Sequence, residues 1–282
     1  MFTLKHVVAA VDFSPATEPL LDCLAELKSA GMETVTLVYV LEVHYGRRPP
    51  AEHQEMYQEK LDTYAEQLRG HGFTVHTQLS TGHPAPRIVQ HAEEKAADLI
   101  LLASRGHNLL YRMLLGSTAA EVLRTATVPV LLDRIEPTDE GDRLSCAGVC
   151  GEKFRNPLLA TDLSSSAEGA EQAAVALSRQ ADSAVFMTVR DTGDSSVSAD
   201  AVREQLQALA DQSTCPTTVR VEHNSKASDA IVGVAEAEGS TLLIVGKHGR
   251  GYVEGQLVGS TAGALAKRSQ RSVLMVPGPV EV

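Results

Sequence analysis

A chain of 282 residues, 43% of them hydrophobic, exceeds one ordinary domain and suits two, each able to bury a core of its own. Its 36 acidic and 25 basic residues leave a formal charge of −11, which repels a phosphate backbone and argues against nucleic-acid binding. Aromatics are only 4%, without Trp, so the core should be aliphatic, as in parallel strands buried under Ala-rich helices.

The first apolar run, HVVAAVDFS, is cut short by Asp12 and Pro15. It is too short for a signal peptide and reads as a strand and its turn. A helical pattern follows from Pro19, then a strand over Thr34–Val43, a charged helix from Gln54 to Arg69, and a strand from Phe73. A helix from Ala92, a strand over Asp98–Gly106, a helix from Gly116 and a strand from Val128 close the first series. Residues 136–155 are polar and carry Pro137, Gly141, Gly148 and Gly151, which marks a linker.

The series then repeats. NPLLATDLS answers HVVAAVDFS, and a helix from Ala167, a strand over Ser183–Asp191 and a helix over Ser198–Gln212 follow. A strand from Thr217, a helix from Ala230 and the run TLLIVGKHG come next; that run aligns without gaps on DLILLASRG of the first half. A helix from Gly259 and a strand from Ser272 complete it. The domains are therefore expected at 1–135 and 156–282, with residues 136–155 between them. The largest length difference falls near Tyr45–Met56, where the first half is longer. Alternating strands and helices predict α/β units, each a parallel sheet with helices on both faces.

The loop leaving the fourth strand of the second half reads GKHGRGYVEGQLVGS. Ligands of open α/β sheets bind at the carboxyl ends of strands, where strand order reverses. Gly246 and Gly249 are expected to let the backbone approach a ligand and to take positive φ. Gly259, Ser260 and Thr261 open a helix whose first N–H groups have no intrahelical partner and suit a phosphate. Lys247, His248 and Arg250 are candidate phosphate cations or plain solvated loop residues, with Arg105 and His107 in similar places in the first half.

The spacing Gly246-x2-Gly249-x9-Gly259-Ser260, with the strand-one ending Asp-x-Ser and the duplicated series, resembles the universal stress protein family along nearly the whole chain, twice. The resemblance implies two tandem flavodoxin/Rossmann-like domains, each a five-stranded parallel sheet of order 3-2-1-4-5. It implies ATP as ligand, with Mg²⁺ as its counter-ion. Asp162 and Val189 would lie at the adenosine end, and Gly246, Gly249, Gly259, Ser260 and Thr261 at the ribose and phosphates. It also implies pairing through the last strand, as a pseudo-dimer within the chain or a homodimer. In the first half the loop is Ala103-x2-Gly106-x9-Gly116-Ser117, so Ala replaces the leading glycine. Asp12, Val40, Gly106, Gly116, Ser117 and Thr118 keep the remaining pattern.

The family reading makes the chain a nucleotide-binding regulator of the stress response with an unknown protein partner. The rival reading is a scaffold or chaperone-like protein for which nucleotide is irrelevant. No catalytic residue or metal site is expected, and any ATP hydrolysis should be slow, because the loop has no P-loop Lys followed by Ser or Thr. Asp12 and Asp162 read as ligand contacts or turn caps rather than bases. Cys23 reads as a core thiol, and Cys146 and Cys150 as linker thiols in a reduced compartment. No apolar stretch reaches the ~20 residues that span a bilayer, so the cytoplasm is the expected location.

Overall fold

Runs of Val, Leu, Ile and Ala form the middle of each half. In HVVAA, which makes β1 (His6–Ala10), Val7, Val8 and Ala9 are at most 1% exposed. Such a strand is covered on both faces and needs no polar alternation. The computed structural model describes residues 2–42, 51–104, 115–137, 144–146, 152–191, 198–251 and 257–278. The chain divides into an N-terminal unit, Leu4–Gly151, and a C-terminal unit, Glu152–Val282 with Met1–Thr3.

In the N-terminal unit β1 is joined by β2 (Thr34–Leu41), β3 (Thr74–Thr81), β4 (Leu99–Ala103) and β5 (Val130–Asp133). Their order is β5-β4-β1-β2-β3, all parallel, with Ala10 beside Val38 and Val40 beside Ser80. The connecting helices are α1 (Thr17–Ser29), α2 (Ala51–Gly70), α3 (Pro84–Glu94) and α4 (Ser117–Thr125). α1 buries Leu20, Leu24 and Leu27, spaced to share one helix face.

α3 starts eight residues before the expected Ala92. Pro84 stands in the first helical turn, where a missing N–H costs nothing. The stretch expected to be a plain linker contains a short antiparallel pair, β6 (Ile135–Pro137) and β7 (Leu144–Cys146). Cys23 is fully buried as expected, but it is disulfide-bonded and not a thiol, whereas Cys215 is free. Cys150 lies outside the described residues.

The C-terminal unit repeats the plan with β8 (Pro157–Ala160), β9 (Ala184–Arg190), β10 (Thr217–His223), β11 (Leu242–Gly246) and β12 (Ser272–Val276). The order is β10-β9-β8-β11-β12, again parallel. Its helices are α5 (Glu168–Leu177), α6 (Ala199–Ala210), α7 (Ala227–Ala237) and α8 (Ser260–Arg268). Both sheets thus have the order 3-2-1-4-5. Each reverses its winding between the first and fourth strands of its unit, which opens a crevice at their carboxyl ends.

Candidate functional site

β8 runs out at Ala160, and the chain turns sharply through Asp162 and Leu163. Leu163 has φ of +58°, and Phe13 has φ of +55° at the same place in the N-terminal unit. That region disfavours a side chain with Cβ, so the turn must be held from outside. Thr161 Oγ1 accepts the Leu163 N–H at 2.9 Å. Asp162 Oδ1 accepts the Ser164 N–H at 3.1 Å and the Ser164 hydroxyl at 2.6 Å. The other carboxylate oxygen of Asp162 accepts the Arg250 N–H at 2.6 Å. One carboxylate therefore ties the strand-one turn to the glycine loop.

The glycines serve close approach rather than a left-handed backbone. Positive φ occurs at Gly31, Gly72, Gly82 and Gly239, not at Gly246 or Gly249, which corrects the expectation. A Cβ on Gly246 would lie 2.9 Å from the His248 carbonyl oxygen, and one on Gly249 would overlap the Asp162 carboxylate. A Cβ on Gly259 would lie 3.2 Å from the Lys247 carbonyl oxygen. The loop is cross-tied there: the Gly259 N–H donates to Lys247 O at 2.8 Å, and the Lys247 N–H to Val276 O at 2.7 Å.

α8 then begins at Ser260, and Gly259 supplies no side-chain cap. The first N–H groups of α8 face a cavity of about 240 Å³ together with the positive end of the helix dipole. Asp162, Val189, Gly246 and Gly249 line this cavity. So do Gly259, Ser260 and Thr261, so all seven residues that the family resemblance marks in this half line one cavity. His248 and Arg250 also line it. Lys247 does not: it is buried, and loss of hydration pushes its ammonium below the usual lysine range.

Thr161, Ala227 and Ile231 are also on the wall and were not legible as site residues. Ala227 and Ile231 stand on α7, whose apolar face reads as ordinary core. Thr161 also donates to Glu171 Oε1 at 2.5 Å. Burial raises the Glu171 pKa above the usual carboxylate value, with the nearby Asp162 and Glu168 charges acting in the same direction.

The N-terminal unit has a related cavity of about 540 Å³, lined by Asp12, Val40, Gly116, Ser117 and Thr118. Asp12 Oδ1 accepts the Ser14 N–H at 2.9 Å and the Thr17 hydroxyl at 3.3 Å. The Gly116 N–H donates to Ser104 O at 3.1 Å, as Gly259 does to Lys247, and α4 also starts without a side-chain cap. Ala103 stands on the wall where the other unit has Gly246. Gly106, Arg105 and His107 lie outside the described residues. Among the described residues no group of three His, Cys, Asp or Glu side chains could hold a metal ion.

A cavity at the switch point of a 3-2-1-4-5 sheet, beneath a glycine loop and an uncapped helix start, defines a protein of the Rossmann-like α/β class. The sequence profile of the Universal stress protein family matches residues 3–134 and again 153–277, and the chain belongs to that family as a tandem two-domain member. Universal stress protein A homolog 1 of Coxiella burnetii is 31% identical over 136 residues, which cover 45% of this chain and 94% of that protein. Universal stress protein Slr1230 of Synechocystis is 38% identical over 74 residues, 26% of either chain, so the match spans about a quarter of that relative's length. The crystal structure of a universal stress protein from Archaeoglobus fulgidus superimposes with a TM-score of 0.77 at 22% identity, covering 99% of this chain and 100% of that one. This last likeness speaks for the fold.

Proposed function

We propose that the C-terminal cavity binds an adenine nucleotide, ATP in the first place, and that the chain acts as a nucleotide-dependent regulator in the response to stress. One observation carries the reading. The uncapped start of α8, the Gly246–Gly249 approach and the Asp162 tie all converge on one cavity, with His248 and Arg250 on its wall.

The fit is a matter of donors and space. The Ser260 and Thr261 backbone and hydroxyl groups suit phosphate oxygens, and the guanidinium of Arg250 suits their charge. A side chain at Gly246 or Gly259 would press on the loop backbone and shift the cavity wall. Asp162 and Val189, on the same wall, would hold the ribose and the adenine. Mg²⁺ would enter with the phosphates, since it keeps much of its water and takes few protein ligands. Regulation rather than turnover is the reading favoured by a loop sequence without a P-loop lysine followed by Ser or Thr. Among the described residues no helix is long and apolar enough to cross a membrane.

Isothermal titration of the full chain with ATP tests the proposal. A saturable heat is expected, and it should be lost in Gly259→Val, whose side chain would press on the Lys247 carbonyl and displace the glycine loop. No heat from wild type at millimolar ATP would remove the nucleotide from the account.

A further inference from the structure

The turn after the first strand takes the same positive-φ form in both units and is held in two different ways. Counted from the turn aspartates, Val11 and Leu21 of the N-terminal unit correspond to Thr161 and Glu171 of the C-terminal unit. The bond from the Thr17 N–H to Ser14 O and that from the Ala167 N–H to Ser164 O, both 2.9 Å, keep the two stretches in that register. Val11 and Leu21 are each 6% exposed, a buried apolar pair. Val11 has no hydroxyl to offer the backbone, and Phe13 is held by its ring, whose centroid lies 4.5 Å from that of Tyr39 and 5.6 Å from that of Tyr57.

Leu163 has no such ring, and polar groups hold the turn in its place. The Thr161 hydroxyl donates to Glu171 Oε1 at 2.5 Å and accepts the Leu163 N–H at 2.9 Å. A hydroxyl has one proton to give. With that proton fixed on Glu171, its lone pairs are fixed as well, and one of them meets the Leu163 N–H. Asp162 stands between Thr161 and Leu163, and its two oxygens take the Ser164 and Arg250 N–H groups. A chain of hydrogen bonds therefore runs from α5 through the turn to the glycine loop.

The carboxylate is out of place by every other measure. Burial disfavours its ionised form, the Asp162 and Glu168 charges disfavour it further, and the Thr161 hydroxyl favours it. A leucine fills the same position of the N-terminal unit without the cost of burying a charge. Glu171 is not on the wall of the cavity, whereas Thr161 and Asp162 are.

We propose that Glu171, acting through the Thr161 hydroxyl, is the positioning residue of the C-terminal site. It fixes the turn that aims Asp162, and Asp162 fixes the glycine loop beside the ligand. The proposal rests on the nucleotide reading for its ligand and on these hydrogen bonds for its geometry.

Thr161→Val and Glu171→Leu copy residues that already pack in the N-terminal unit. Amide exchange of the full chain without ligand, followed by NMR, reads the geometry. Either substitution should speed exchange at Ser164 and Arg250 about tenfold, the scale of one hydrogen bond to a charged group. Ile244, in the middle of β11, should keep its rate. The double variant should go no further than either single one, and Thr161→Ser, which keeps the hydroxyl, should restore slow exchange. The Ser260 and Thr261 amides, followed through an ATP titration, read the consequence in this unit alone. ATP affinity there should fall about tenfold in Thr161→Val and in Glu171→Leu, and Thr161→Ser should recover it.

Unchanged exchange at Ser164 and Arg250 overturns the proposal. So does faster exchange at Ile244 in step with them, which would mark a general loosening. Should a single variant fail to fold, the double variant, which restores the apolar pair of the N-terminal unit, reads the same amides. ATP binding that ignores both substitutions would sink this proposal and leave the nucleotide reading standing. No ATP response in the wild-type chain would remove that reading, and the exchange rates would then decide this one.

Discussion

A methyl group at position 246 would stand 2.9 Å from the His248 carbonyl and 3.4 Å from backbone atoms of Ser166 and Ala167. None of these neighbours is a flexible side-chain end, so the loop itself would have to move. The first half already carries this change as Ala103. Gly246→Ala should therefore leave the fold intact, cost about 1 kcal/mol of stability through the forced backbone shift, and lower ATP affinity about tenfold by moving Gly249 and Arg250 off the cavity. Calorimetry of binding, beside a denaturant titration, separates the two effects; unchanged affinity would mean the leading glycine is a matter of turn geometry alone. The motif glycines were legible as a spaced set because close backbone approach leaves no alternative residue. Of the two reasons given for them, close approach and positive φ, only the second fails, since both make the same demand on sequence. Tyr39, Thr161 and Ile231 carried no such mark, because a Tyr on a strand or an Ile on a helix reads as core until the wall it faces is known.

At the scale of elements, the strands and most helices were readable from apolar runs and their spacing, and the two starts that failed have physical reasons. α3 opens with Pro84, and a Pro-Ala-Pro stretch signals a loop more strongly than a first turn. The β6–β7 pair has strands of three residues each, too short to show alternation. The Cys23 bridge was hidden for another reason: helical spacing gave Cys23 a sufficient role in the apolar face of α1, and pairing partners cannot be deduced from four scattered cysteines. A disulfide restricts the unfolded chain. Reductant should therefore lower the unfolding free energy by about 2–4 kcal/mol, and Cys23→Ala should abolish that dependence. Denaturant midpoints with and without reductant are the measurement. Coincident midpoints for the wild-type chain would show that the bridge adds nothing to stability.

Across the whole molecule the two units should answer acid in opposite directions. In the N-terminal unit, burial lowers the pKa values of His6 and His91 below the ordinary 6.5, against smaller opposing contributions from Asp98 for His6 and Glu94 for His91. His6 Nε2 is within 2.9 Å of the Thr36 hydroxyl, and His91 Nε2 within 2.7 Å of the Ser80 hydroxyl, so each ring joins its element to a strand. An unfolded chain takes up these protons near 6.5, and the folded unit takes them up only at lower pH. The unfolded state then binds more protons, so stability present above 6.5 is lost as pH falls through that value toward the folded pKa values. In the C-terminal unit Glu171 is shifted upward from 4.5 by burial, so the folded state holds its proton where the unfolded state has released it. That contribution is fully present below 4.5 and disappears as pH rises through the folded value. Hydrogen exchange, corrected for the intrinsic rate, resolves the units between about pH 8 and about pH 4. On acidification the opening free energy of β3 and α3 should fall, and that of β8 and α5 should rise. His91→Gln should flatten the first response and Glu171→Gln the second. Parallel titration of the two units would show that these buried groups do not govern the balance between the halves.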